Sequence, residues 1–219
     1  YIIPIGGDGL LLKSLHSFNK LNKPFFGINF GSIGFLMNNI NNEDLNEVIA
    51  NSKKSEFKPL KMSAFSLDNK KFEAYAYNEV SIMRQTHLAS KIKIKINDQI
   101  KMNELICDGV LLSTSAGSTA YNLSAHGSIL PLDSNILALT PISAFRPRRW
   151  RGALLSEISE IEFEVLDQNE RPSSVTADNV EFRNIKKVNV ISSNENKCKV
   201  LFDSKHSIED KILNEQFNY

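Results

Sequence analysis

The chain has 219 residues, 42% of them hydrophobic, with 26 Lys and Arg against 25 Asp and Glu for a formal net charge of +1. That length holds one large domain or two small ones with real cores, and near-neutrality excludes a global field that recruits nucleic acid or an acidic membrane. No apolar run approaches the ~20 residues of a membrane span.

The chain opens on the apolar run Tyr1-Ile2-Ile3-Pro4, in what reads as a buried strand, Ile2 to Ile5. With no initiator Met and no strand–helix unit before it, upstream residues are expected to be missing. Ile5-Gly6-Gly7-Asp8-Gly9 follows the strand, and Leu10 to about Asn22 reads as a helix with Leu11, Leu12, Leu15 and Phe18. Three glycines let the backbone turn tightly and bring main-chain N–H groups toward phosphate, and the helix N-terminus adds its positive end. A carboxylate among them repels that ligand unless it binds metal or accepts a proton, so the stretch points to phosphoryl transfer. A Gly-rich hairpin with a solvated Asp is the plain alternative. The Walker-type G-x-x-x-x-G-K-[ST] loop is absent, Gly27, Gly31 and Gly34 lack G-x-G-x-x-G spacing, and protein-kinase motifs are missing.

Pro24 to Asn29 reads as a second strand, a Gly-rich loop follows, and Glu43 to Lys54 reads as a helix with Leu45, Val48 and Ile49 on one face. Strand–helix–strand order implies a Rossmann-like parallel sheet with ligands at its carboxyl ends, so Gly6 to Gly9 and Phe30 to Leu36 belong at one edge. After about Phe57 the texture changes. Lys91 to Ile96 alternates strictly, and Asp68-Asn69, Asn97-Asp98 and Asp167 to Glu170 are turn signals, as in an antiparallel β-sandwich. From about Leu201 the tail reads as helical, with a capping box at Ser207 to Asp210 ahead of Ile212, Leu213 and Phe217. The expected organisation is an α/β domain over 1–55, a sandwich over 56–200, and a segment over 201–219 that goes back to the first domain.

Two further constellations carry chemistry. Asn78-Glu79 sets an amide beside a carboxylate between strands: Asn reads an adenine edge and Glu accepts from ribose hydroxyls, unless both are ordinary polar strand ends. Cys107-Asp108-Gly109 leads through Ser113 to a run of small and hydroxyl residues, Ser115 to Ala120, with a helix opening at about Thr119. Hydroxyls, exposed amides and a helix start make a nucleotide cradle, with Asp108 on ribose hydroxyls. Two cysteines, Cys107 and Cys198, give neither a disulfide framework nor metal-ligand spacing, and the four histidines are scattered, so no metal-ligand residues are assigned; cysteine usage fits a reducing cytoplasm. The chain has 19 lysines and 7 arginines, yet Arg146, Arg148, Arg149 and Arg151 cluster. That suggests bidentate or stacking chemistry, either phosphate binding, with Arg148 as candidate, or a subunit interface anchored by Trp150.

Gly6-Gly7-Asp8-Gly9, Gly31-Ser32-Ile33-Gly34-Phe35-Leu36, Asn78-Glu79 and Asp108 through Gly117-Ser118-Thr119-Ala120-Tyr121-Asn122 stand in the order seen in NAD kinases, and the chain resembles that family over nearly its whole length. Ser143 to Arg151 is similar to the bacterial branch. Leu10 stands where many members carry Thr, and Ser115-Ala116 where Pro-Thr is frequent. The resemblance implies an α/β domain followed by a β-sandwich, and transfer of a phosphoryl group from ATP or polyphosphate to NAD, with Mg²⁺ or another divalent cation. It implies Asp8 as catalytic; Gly9, Phe35, Asn78, Glu79, Asp108, Thr119, Ala120, Tyr121 and Ser124 as substrate-binding; and Gly6, Gly7 and Gly9 as phosphate-binding. Phe35 and Leu36 match the family's pocket loop. A cytoplasmic homodimer or homotetramer without nucleic-acid or membrane partners is implied too. The rival readings are a lipid or sphingoid kinase sharing the Gly-Gly-Asp-Gly loop and a non-catalytic NAD(P) sensor. The small polar residues of 108–124 favour a nucleotide over a greasy acceptor, and Asp8 argues against a pure binder.

Overall fold

The computed structural model describes residues 1–31, 34–40 and 44–204. The chain divides into two compact units, one of 1–58, 131–133 and 194–219, the other of 59–130 and 134–193.

In the first unit, β1 (Ile5–Gly6) leads into α1 (Asp8–Phe18), whose buried Leu11, Ser14 and Leu15 form its inner face. A 3₁₀ turn, Asn19–Leu21, ends it at Asn22, which takes the left-handed conformation that Asn tolerates (φ 50°). β2 (Ile28–Asn29) pairs parallel to β1, with Ile5 opposite Ile28, and a bridge extends the pairing back to Ile2 and Phe25. The regular strands are thus shorter than the hydrophobic runs that announce them, because Pro4 and Pro24 have no N–H to give a ladder. α2 (Leu45–Ala50) begins where the Asp44 carboxylate accepts the Asn46 N–H at 2.8 Å, and it buries Val48 and Ile49. It ends four residues before the expected Lys54. Lys53–Phe57 is instead β3, with Ser55 and Phe57 buried on one face. Glu43, the expected helix start, lies outside the described residues.

The second unit is a sandwich of two six-stranded antiparallel sheets. Its strands are β4 (Leu60–Ser66), β5 (Lys71–Ala76), β6 (Glu79–Arg84), β7 (Ser90–Ile96), β8 (Gln99–Cys107), β9 (Gly109–Ser113), β10 (Ile136–Ile142), β11 (Ala153–Ser156), β12 (Ile161–Leu166), β13 (Ser173–Ala177), β14 (Val180–Phe182) and β15 (Ile185–Ser192). One sheet runs β11-β10-β9-β6-β13-β14 and the other β5-β4-β15-β12-β7-β8. Ile82, Ile92, Ile94, Val110, Leu112, Phe163, Val175 and Val188 fill the space between them. The alternation of 91–96 does what its period requires: Ile92 and Ile94 enter the core, while Lys93 and Lys95 meet Glu164 and Glu162 across the sheet at 2.9 and 2.8 Å. Asn69, Asn97, Asp98 and Asp167 sit at positive φ in the expected turns.

The chain then rejoins the first unit as β16 (Cys198–Phe202), antiparallel to β3 and bridged to Phe25. Leu201 and Phe202 are therefore strand, not the start of a helix; the expected capping box at Ser207 to Asp210, with Ile212, Leu213 and Phe217, lies outside the described residues. The unit boundaries fall at Lys58 and Asn194 rather than at 55 and 201. Buried Asn38 fastens this return: its amide donates to the Gly27 and Leu201 carbonyls, both at 3.0 Å, and its oxygen accepts the Asp203 N–H at 2.8 Å. Among the described residues no helix is long and apolar enough to cross a membrane.

Candidate functional site

In the first unit, Gly7 precedes α1 in an extended conformation (φ −110°, ψ −176°), so Asp8 opens the helix. The Asp8 carboxylate accepts the Phe35 N–H at Oδ2 (2.9 Å) and the Leu36 N–H at Oδ1 (3.0 Å). The Phe30 N–H donates to the Gly6 carbonyl at 2.9 Å, so the two strand-end loops meet at one edge, as their parallel order requires. Two glycine-bearing loops are thus tied together through one acid at a helix N-terminus, where its negative charge is favoured. The tight turn read from three glycines is corrected: none of Gly6, Gly7 and Gly9 takes a positive φ. Only Gly6 is sterically confined, since a Cβ there meets Leu10 Cδ2 at 2.8 Å; at Gly7 and Gly9 it meets nothing within 4 Å. The described residues therefore impose no steric demand for glycine at these two positions.

In the second unit, Asn78 and Glu79 occupy the corner between β5 and β6, and the loop after β9 locks against them. Thr114 donates its hydroxyl to the Tyr77 carbonyl (2.6 Å) and its N–H to the Asn78 carbonyl (2.9 Å). Gly117 lies so close that an added Cβ would sit 2.2 Å from the Asn78 carbonyl oxygen. The expected helix at Thr119 is a 3₁₀ turn, Ala116–Thr119, followed by one helical turn, Tyr121–Ser124 (α3). Side chains rather than helix propagation fix it. Buried Asn122 donates to the Ser118 and Ser128 carbonyls (3.0 and 2.9 Å), and the Ser118 hydroxyl accepts the Leu130 N–H (3.0 Å). Thr119, Ala120 and Tyr121 are half-buried and Ser124 is exposed.

Two groups that the sequence did not announce hold this region. Arg84 donates from Nε to Asp108 Oδ1 at 2.6 Å and from Nη1 to the Thr86 carbonyl at 2.5 Å, fixing Asp108 at the β8–β9 junction. The Asp178 carboxylate accepts three consecutive main-chain N–H groups, from Tyr77 (2.7 Å), Asn78 (3.0 Å) and Glu79 (3.2 Å). The Glu79 side chain is mostly buried, and among the described residues its Oε2 has no hydrogen-bond partner. Burial first, and the Asp178 charge second, push its pKa up to about 7. Burial also raises the Tyr121 hydroxyl, with contributions from Glu79 and Asp108, so these three groups share one electrostatic neighbourhood. Burial pushes the Cys107 thiol up to about 12, which removes it as a nucleophile.

The arginine segment starts beside Asp108: the Ile106 N–H donates to the Arg146 carbonyl at 2.8 Å and the Phe145 N–H to the Ile106 carbonyl at 2.7 Å. The Arg146 and Arg148 guanidiniums stand 5.6 and 5.4 Å from the centre of the exposed Phe145 ring. Among the described residues no group of three or more His, Cys, Asp and Glu side chains gathers to hold a metal ion. Asp8 offers one carboxylate, a donor set that suits Mg²⁺ carried on nucleotide phosphates.

Comparison with known proteins resolves the class and then the family. The fold superimposes on yeast NADH kinase complexed with NADH with a TM-score of 0.86 over 99% of this chain and 65% of that one, at 23% identity. It also matches an NAD kinase from Archaeoglobus fulgidus in complex with ATP, with a TM-score of 0.75 over 93% of this chain and 78% of that one, at 25% identity. The architecture is therefore that of kinases named for pyridine nucleotides. Residues 77–201 match the family model of the ATP-NAD kinase C-terminal domain. The NAD kinase of Rickettsia bellii is 50% identical over 99% of this chain and 85% of its own length, and that of Caulobacter vibrioides 47% over 99% and 84%. The chain belongs to the NAD kinase family.

Proposed function

We propose that this enzyme transfers the γ-phosphoryl group of ATP to the adenosine-ribose 2′-hydroxyl of NAD, giving NADP and ADP. The observation that carries the reading is the Asp8 carboxylate, set at the start of α1 and tied to the Phe35–Leu36 loop by two main-chain hydrogen bonds. In the reaction the 2′-oxygen forms its bond to Pγ, the bond between Pγ and the bridging oxygen breaks, and the hydroxyl proton passes to Asp8. A carboxylate is a weak base toward an alcohol. In a loose transition state that proton leaves late, and positioning carries most of the rate. Gly6, Gly7 and Gly9 with the N-terminus of α1 hold donor phosphates, a role supported by the open space over Gly7 and Gly9. A divalent cation such as Mg²⁺, carried on those phosphates, would neutralise the charge that develops there; Asp8 would be its protein ligand only in place of its role as proton acceptor. In the second unit Asn78, Glu79, Asp108, Thr119, Ala120, Tyr121 and Ser124 bind the acceptor dinucleotide and Arg148 a phosphate; in the first, Gly9 and Phe35 are substrate-binding residues. Polyphosphate is the alternative donor.

Asp8→Asn tests the assignment in an assay coupling NADP formation to a dehydrogenase. The expected outcome is loss of turnover by about 10²–10⁴-fold with NAD binding retained; near-normal turnover removes Asp8 from the chemistry. The reading extends to a cytoplasmic homo-oligomer. Leu154 on edge strand β11 and nearby Ile158, 56% and 88% exposed, support a subunit contact, which light scattering of the purified protein checks.

A further inference from the structure

Asp178 lies about 100 residues from Asn78 and Glu79, in the turn between β13 and β14, at φ 50°. Its two oxygens take up the N–H groups of Tyr77, Asn78 and Glu79, and its own N–H donates to the Glu79 carbonyl at 3.2 Å. Three successive amides converging on one carboxylate define the shape of this corner, because moving any of them orphans a buried donor. The same carboxylate puts a negative charge next to a second acid whose Oε2 is buried and, among the described residues, has no hydrogen-bond partner.

We propose that Asp178 is a positioning residue for the acceptor nucleotide, acting through the Asn78-Glu79 corner whose shape it holds. This rests on the reading of that corner as part of the dinucleotide site. Among the described residues, four elements bring groups toward Glu79. Strand β9 presents neutral Ser113 opposite it, α3 brings the Tyr121 hydroxyl, the β13–β14 turn brings Asp178, and Asp108 is already paired with Arg84. No cation among them compensates an ionised Glu79, whereas a neutral carboxyl offers one O–H donor and one acceptor. In this proposal the protonated form of Glu79 is the one that meets an acceptor atom of the nucleotide, as a hydrogen-bond donor. The order of influence, burial then Asp178, means that ionisation of Glu79 near neutral pH removes the donor and puts two carboxylates side by side.

The test measures NAD affinity by calorimetry, and kcat and KM for NAD, from pH 6 to 9 in the wild type, Glu79→Gln, Asn78→Ala, Asp178→Asn and Asp178→Glu. The wild type is expected to lose affinity as pH rises past 7, approaching tenfold per pH unit. Glu79→Gln, which keeps the donor at all pH values, is expected to be flat. Asp178→Asn removes the charge and one acceptor: its KM for NAD rises several-fold, kcat changes less, and its loss of affinity begins at lower pH. Asp178→Glu keeps the charge but displaces the oxygens, so it raises KM with the wild-type midpoint; should Asp178→Asn not fold, this variant decides. A pH-independent wild type, an Asp178→Asn profile that overlays the wild type, or an Asp178→Glu variant with unchanged KM overturns the proposal. If Glu79→Gln and Asn78→Ala both keep wild-type KM for NAD, the reading of the corner as a nucleotide site is what fails.

Discussion

Gly9 and Gly117 both stand in loops assigned to ligands, and they are glycine for opposite reasons. A side chain on Gly9 points into open space, whereas one on Gly117 enters the Asn78 backbone. The contrast runs through the regions around them. The first loop is held by a helix start, by the Asp8 carboxylate with main-chain hydrogen bonds from Phe35 and Leu36, and by the Phe30 N–H on the Gly6 carbonyl. The second is interlocked by Thr114, Ser118, Asn122 and Asp178, so its shape is fixed by the protein's own hydrogen bonds. Smallness in a loop thus has two physical meanings, room for a substrate or room for the protein's own main chain.

The contrast is most sharply tested at Gly117. Gly117→Ala forces a Cβ against main-chain atoms, which have no rotamer to escape into, and is expected to cost about 3 kcal/mol or more and to lower the denaturation midpoint. Full stability in that variant would erase the distinction between the loops. Glu79→Gln sharpens it through pH. The folded-state pKa of about 7 lies above the ordinary 4.5, so the folded state holds more protons between those values and stability falls as pH rises through that window, then levels off. Gln has no proton to lose. Its stability advantage over the wild type is therefore expected to grow from pH 4.5 to 7, by at most about 3 kcal/mol, and a gap that stays constant in urea titrations contradicts the buried-acid picture. Gly9→Ala is the smallest effect on folding, within about 0.5 kcal/mol, with kcat/KM reduced because the methyl occupies ligand space. Unchanged kinetics would deprive the open space of its meaning.

Local pattern made much of this molecule legible. An apolar run into Gly-Gly-Asp-Gly and a leucine-rich segment gave strand, loop and helix, and the alternation of 91–96 gave a half-buried strand with its faces correctly assigned. What escaped was long-range pairing. Nothing near Arg84 says that it will hold Asp108, and Asp178 could be seen as a turn residue, but its target lies about 100 positions upstream. The same applies to Asn38, whose partners at Leu201 and Asp203 come from the other end of the chain. The glycines were the subtler case. A sequence counts them but does not tell whether the crowding they relieve comes from the protein or from a ligand.

The pairing of β16 with β3 has a consequence for biosynthesis. When Lys58 leaves the ribosome, the neighbour that β3 requires is still 144 residues from completion, as Phe202 ends that strand. At 5–20 residues per second the delay is roughly 7–30 s. Through that interval the nascent first unit holds Phe25 and the edge of β3 without their β16 partners, while all strands of the antiparallel sandwich, between 60 and 192, are made before β16. The sandwich is thus able to mature first, and the first unit closes last.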